Sequence, residues 1–202
     1  LLKHKVLKTP KKVQIPFSEK EVDLVLNQIN YPDGFEGHRD KLIIDLFYST
    51  GIRRTELIHL KMLNIDLSSA TLKVLGKRNK ERIIPIGKDL YEIIRSYEKL
   101  KPPGPDSQIM LFVKKDGRKL SSKFVYRKIN TYLGSVTNAE KKSPHILRHT
   151  FATHMLNNGA GLETLKELLG HANLSATQVY THNSFAQINS IYSHAHPRGR
   201  KK

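Results

Sequence analysis

Ser143–Pro144–His145–Ile146–Leu147–Arg148–His149, followed by Leu168–Leu169–Gly170–His171 and then Val179–Tyr180–Thr181–His182, decides how the rest of this chain is read. Ser143 reads as an N-cap and Pro144 as the first helical residue, so a helix begins just before His145. Residues three apart are neighbours on a helix surface, which puts His145 and Arg148 on one face. The N-terminus of such a helix adds free N–H groups and partial positive charge, both suited to a bound phosphate. Imidazoles, a guanidinium and a phenol thus arrive in an order that suits attack on a phosphodiester.

Composition points the same way. A chain of 202 residues can bury one good core and a small appended piece. Hydrophobic residues at 38% and charged residues at 26% fit a folded domain and argue against wholesale disorder. Lys and Arg number 35 against 18 Asp and Glu, a surplus of +17 that calls for a polyanionic partner, nucleic acid or an acidic membrane face. No long apolar run occurs and the opening residues lack the apolar core of a signal peptide, so no membrane-spanning segment is expected, and no membrane is counted among the expected partners. Cysteine is absent, which excludes disulfides, thiolate metal sites and a cysteine nucleophile, and fits a cytoplasmic protein. With no Trp, seven Phe and eight Tyr, a platform for stacking single-stranded bases would be thin.

The pattern of apolar residues gives a mainly α-helical α+β fold with a small antiparallel β-sheet. Residues 1–12 read as a basic linker, residues 13–194 as the folded domain and residues 195–202 as a mobile basic tail. Ser18–Glu19–Lys20–Glu21 has the form of a capping box opening a helix with Val22, Leu24, Val25 and Ile29 inward. A second helix runs His38–Thr50, with Leu42, Ile43, Leu46 and Phe47 inward and Gly51 as its stop. Arg54–Leu60 is a short third. Leu72–Leu75 and Arg82–Ile86 form strands around the polar turn Gly76–Glu81. Helices at Leu90–Leu100 and Lys123–Leu133 bracket an edge strand, Ile109–Val113, and the loop Lys101–Asp106 is the least ordered interior segment. Helices at His145–Asn157, Leu162–Leu169, Thr177–His182 and Phe185–Tyr192 complete the chain.

Cleaving a phosphodiester needs a nucleophile, cations for the equatorial oxygens, a base, and an acid for the leaving oxygen. Many nucleases supply the cations as metals held by carboxylates. No Asp or Glu cluster accompanies the His and Arg residues here, whereas Arg provides a planar, permanently charged fork for two phosphate oxygens. Gly51–Ile52–Arg53–Arg54–Thr55–Glu56–Leu57, Gly76–Lys77–Arg78–Asn79–Lys80–Glu81–Arg82, His145–Ile146–Leu147–Arg148–His149, Leu169–Gly170–His171 and Tyr180–Thr181–His182 stand in series. Together they resemble the catalytic domain of tyrosine recombinases, closest to the Xer-like and phage-integrase branches, over roughly Val13–His194.

That resemblance implies roles. Tyr180 attacks the scissile phosphate and takes a DNA 3′ end; Arg53 and Arg148 clamp the non-bridging oxygens; His171 adds a hydrogen bond; Lys77 protonates the departing 5′ oxygen; His145 helps remove the tyrosine proton. Arg54, Arg78, Lys80 and Arg82 are candidate DNA contacts. The covalent link conserves the bond energy, so neither a metal nor any other cofactor is expected. The implied partner is a double-stranded recombination site, held by a homo- or hetero-tetramer through the C-terminal helix, assigned to Phe185–Tyr192. The family's N-terminal core-binding domain is expected to lie outside this chain. Xer-like chromosome or plasmid resolution is the expected role. A phage or transposon integrase, a type IB topoisomerase-like strand transferase and a DNA-binding module without catalysis are the alternatives.

Plainer readings compete residue by residue. Arg53 could simply pair with Glu56 three residues on, and Lys77 could be a solvated turn lysine. Tyr180 alone would be an ordinary half-buried aromatic. His145 with His149 and His154 lacks the Glu at position 146 of a zinc-protease motif, so His149 is expected to be a buried, hydrogen-bonded helix residue.

Overall fold

A computed structural model describes residues 14–76, 80–170 and 182–199. Within them the mainly helical α+β architecture holds, with a three-stranded antiparallel sheet on one flank. Helix α1 (Glu19–Asp23) opens on the reciprocal cap read from the sequence. Glu21 N donates to the Ser18 hydroxyl at 3.2 Å, and Ser18 N donates to the Glu21 carboxylate at 2.8 Å. The chain leaves α1 through one wide π turn, Leu24–Gln28.

Helix α2 (Phe35–Thr50) is the axis of the molecule. The sequence assigned it one apolar face, yet from Leu42 to Thr50 every residue is buried, with Asp45, Ser49 and Thr50 enclosed along with Leu42, Ile43, Leu46 and Phe47, and Asp40 is buried just before them. Helices α4 (Lys88–Leu100), α5 (Ser122–Gly134) and α6 (Pro144–Asn157) cover it. A helical stretch with no wet face must pair its polar groups inside the protein. Ser49 Oγ donates to Asp45 at 2.7 Å, and Asp40 accepts from Tyr132 at 3.0 Å and Lys128 at 2.7 Å, both on α5.

Gly51 ends α2 in the left-handed region, φ +58°. It also permits a close approach. A methyl group there would lie 2.6 Å from Phe151 of α6 and 2.8 Å from Leu169 of α7 (Leu162–Leu169). The end of α2 therefore presses directly on both helices, and the residues just after it reach the site.

Helix α3 (Arg54–Ile58) leads to β1 (Ile65–Asp66), β2 (Thr71–Leu75) and β3 (Glu81–Pro85), paired in that order with Leu72 opposite both Ile65 and Ile84. Strand β1 was not expected, since two residues carry no periodicity. The edge strand expected at Ile109–Val113 is corrected. Met110 and Val113 form only isolated bridges to Lys61 and Lys119. Leu111, Phe112 and Val113 are all buried in succession, as an enclosed loop allows and a one-faced strand does not. The loop Lys101–Asp106 is likewise tied down, by Asp106 N donating to Gly117 O at 3.1 Å and Lys101 Nζ to Met110 O at 3.0 Å.

Helix α8 (His182–Ala195) brings the chain back over α6 and β3, burying Ile188 and Tyr192. The helix expected at Phe185–Tyr192 is part of it, and most of Thr177–His182 lies outside the described residues. So do the basic linker and the last three residues. The mobile tail expected from residue 195 is corrected for residues 195–199. Ala195 and His196 are buried, and Arg198 pairs with buried Asp45 of α2 and, at 3.4 Å, with Asp89. His196 Nε2 donates to Tyr48 O at 3.1 Å, and its Nδ1 accepts from Arg198 N at 3.0 Å. Its ring stacks on Tyr192 with centroids 5.0 Å apart and touches Tyr48 and Phe151. A run of charge in the sequence concealed a hook with a specific seat.

Candidate active site

The last carbonyls of an α-helix have no partner within it. At the end of α7 three successive carbonyls, those of Leu168, Leu169 and Gly170, each accept from a different arginine. Arg82 Nε reaches Leu168 O at 2.8 Å, Arg148 Nη2 reaches Leu169 O at 2.8 Å, and Arg53 Nη2 reaches Gly170 O at 3.0 Å. Guanidinium groups at a helix C-terminus also lie where the helix dipole favours positive charge. Gly170 closes α7 in the left-handed conformation, φ +64°, and points the chain onward to His171.

Each arginine comes from a different element. Arg53 is the residue preceding α3, Arg82 stands on β3 and Arg148 on the first turns of α6. Pro144 occupies the first turn of α6 and Ser143 its N-cap position, as read, although the Ser143 side chain makes no capping bond. Arg148 Nη1 also donates to Gly51 O, so the stop of α2 is itself a wall of the site.

One carboxylate serves this group. Glu56 accepts from Arg53 Nη1 at 2.8 Å and from Arg53 N at 2.8 Å, while Arg82 meets it with two parallel bonds of 3.0 and 2.8 Å. Burial alone would raise the Glu56 carboxyl; the hydrogen bonds and charge of Arg82, with those from Arg53, outweigh it and hold it at about 2. Among the described residues Arg148 hydrogen-bonds to carbonyls and to no carboxylate, and Glu56 acts on it through charge alone. Burial, then the like charges of Arg53 and Arg82, pull it down to about 9, still charged at neutral pH. Among the described residues, three guanidinium charges against one carboxylate leave a surplus of two positive charges at the mouth of α7.

The structure thus brings together Arg53 and Arg148. His145 stands exposed on α6, one turn before Arg148. Arg54 is half-buried and Lys80 exposed at the base of the β2–β3 turn. Lys77, Arg78, His171 and Tyr180 lie outside the described residues. Arg82 differs from the expectation that it contacts DNA: it is 3% exposed and its bonds go to Glu56 and α7. Alternation already contained this, because Arg82, Ile84 and Ile86 share one strand face, and the charge cluster distracted from it. The Arg53–Glu56 pair, the plainer reading of Arg53, is present and belongs to the site.

His149 is exposed rather than buried, with Nε2 3.1 Å from Gln14 O. His154 is the buried one, bonded to Tyr48 Oη at 2.9 Å and Phe17 O at 2.9 Å. Among the described residues no group of three His, Asp or Glu side chains is placed to hold a metal ion, and no helix is long and apolar enough to cross a membrane.

Comparison with known proteins adds to this geometry. The profile of the phage integrase family matches residues 16–187. The chain is 44% identical over 197 residues to the tyrosine recombinase XerC of Staphylococcus carnosus, covering 96% of this chain and 66% of that protein. Among solved structures it is similar to XerA recombinase, with 28% identity, TM-score 0.70 and coverage of 90% of this chain and 66% of the other. It is also similar to the integrase of mycobacterium phage Brujita, with 26% identity, TM-score 0.75 and coverage of 96% and 63%. The chain spans about two-thirds of the length of these relatives.

Proposed function

Since this chain belongs to the phage integrase family of tyrosine recombinases, we propose that it carries out the strand cleavage and rejoining of an Xer-like site-specific recombinase. The observation that carries this is the surplus of positive charge at the end of α7 among the described residues, where Arg53, Arg82 and Arg148 share the single carboxylate of Glu56 and Arg148 makes no hydrogen bond to it. A phosphodiester brings one negative charge and its pentavalent transition state two, so the site favours the transition state over the ground state.

In this reading the Tyr180 hydroxyl attacks phosphorus as His145 accepts its proton. The bond from phosphorus to the 5′ oxygen breaks, and Lys77 delivers a proton to that oxygen. The DNA 3′ phosphate is left esterified to Tyr180. Arg53, Arg148 and His171 hold the non-bridging oxygens throughout. Rejoining is the reverse, with a 5′ hydroxyl of the other strand as nucleophile, so no metal or cofactor enters. Arg54, Arg78 and Lys80 extend the basic surface along the DNA. Exchange between two recombination sites requires a tetramer, assembled through α8 and either a second copy or a related recombinase. The likeness to XerC favours chromosome or plasmid resolution over mobile-element integration, in the cytoplasm.

Incubation with a recombination site nicked near the cleavage point tests this directly. A protease-sensitive protein–DNA adduct that forms in the presence of chelator and vanishes in Tyr180→Phe is expected; an adduct that survives that substitution overturns the assignment.

A further inference from the structure

Arg82 is a charged side chain almost wholly removed from water, which is costly unless the charge is paired and its donors are used. Here they are used across three elements. Two parallel bonds tie it to Glu56 of α3, and Nε ties it to Leu168 O of α7, while the residue itself is held in β3 opposite Val74. Two glycines rest on its guanidinium. A methyl group at Gly170 would lie 3.1 Å from Arg82 Cδ and 3.2 Å from Nη1, and one at Gly76 would lie 3.6 Å from Nη1. Gly76 is the root of the β2–β3 turn, its N–H donating to Lys80 O at 2.8 Å. Glu56 in turn orients Arg53 through its side chain and backbone N–H.

We propose that Arg82 is a positioning residue for strand cleavage: by joining Glu56, Leu168 and the turn root at one planar group, it sets Arg53 in register with the segments that carry Lys77 and His171. This rests on the recombinase reading above. Lysine cannot substitute, because a single ammonium does not offer two parallel bonds to a carboxylate and a third, divergent bond to a carbonyl.

The test uses the full chain, with Arg82→Lys and the milder Glu56→Gln, each checked by thermal melting and by DNA affinity across a salt series. Cleavage of the nicked site is timed under single-turnover conditions on two substrates, one with the natural scissile phosphate and one with a methylphosphonate there. The neutral phosphonate lacks the charged oxygen that Arg53 would hold. Both variants are expected to cleave the phosphate at least tenfold more slowly with DNA affinity within twofold of the parent, and to lose no more than threefold on the phosphonate. Equal losses on both substrates, or none on the phosphate, overturn the proposal. A salt dependence of binding that becomes shallower by one charge also overturns it, by making Arg82 a phosphate contact. If Arg82→Lys does not fold, Glu56→Gln carries the same comparison. Failure of the recombinase reading itself shows separately, as an adduct that persists in Tyr180→Phe.

Discussion

Two polar clusters meet the C-terminal end of α2, one through Gly51 O and the other through Tyr48 O and Ser49 O, and they solve burial differently. The cluster at the end of α7 gathers Arg53, Arg82 and Arg148 around Glu56 and keeps a surplus of charge. The cluster under α8 gathers Tyr48, His154, Tyr192 and His196 with no ionised ring, every ring polar atom matched to a partner: Tyr48 Oη to His154 Nδ1, His154 Nε2 to Phe17 O, Tyr192 Oη to Ser49 O, and both His196 nitrogens to Tyr48 O and Arg198 N. A saturated neutral network holds structure; a charged one left short of counter-charge attracts an anion.

The largest expected effect tests the charged side. Arg148→Ala is expected to slow cleavage of the nicked site on the order of 10³-fold, by removing donors aimed at developing charge. Its stability, by urea unfolding, is expected to change by only about 1 kcal/mol, since like-charge crowding is relieved as two carbonyl bonds are lost. A large loss of stability would erase the distinction between the two clusters.

The neutral side should behave in the opposite way. His196→Ala removes a ring with no solvent exposure and two hydrogen bonds. It is expected to cost about 3 kcal/mol by urea unfolding. Unchanged stability would mean that residues 196–199 do not hold α8 down.

Acid sharpens the comparison next. Burial lowers the His196 imidazole from 6.5 to about 3, and burial also lowers His154. The unfolded chain therefore takes up protons that the folded one refuses, so this contribution to stability is complete above pH 6.5 and is lost as pH falls from there towards 3. Glu56 acts lower, its contribution complete above 4.5 and lost towards about 2. A melting-temperature profile should begin to fall below pH 6.5, and His196→Gln should move that onset to lower pH. An unmoved onset would assign it to other groups. Smallest of all, Tyr48→Phe should cost about 1 kcal/mol, by leaving His154 Nδ1 without its donor.

Much of this was legible beforehand. The Ser18 cap, the Gly51 stop and the start of α6 at Pro144 are local devices whose chemistry is written in adjacent residues, and each stands where it was read. Arg53 and Arg148 were nominated from motifs 95 positions apart in the chain, and the fold brings both to α7. What escaped was decided by tertiary partners. Arg82 looked like one more cation in a basic turn, because Glu56 lies 26 residues away. Arg198 looked like tail, because its partner Asp45 is 153 residues away. The burial of α2 on every side from Leu42 onward follows from its three covering helices, which its own periodicity does not encode. Lys77, Arg78, His171 and Tyr180 lie outside the described residues, and for them the proposal rests on the motifs and the family.

Gly51 carries a consequence for how this protein tolerates change. It offers no reactive group, yet any β-carbon there would meet Phe151 and Leu169 and force a φ of +58° on a residue that resists it. Its carbonyl meanwhile anchors Arg148. In a saturation screen scored by recombination, the most intolerant position outside the proposed nucleophile and its proposed arginines should be this atom-poor one. Directed evolution towards new DNA targets should accordingly leave it fixed while neighbours at the protein surface drift.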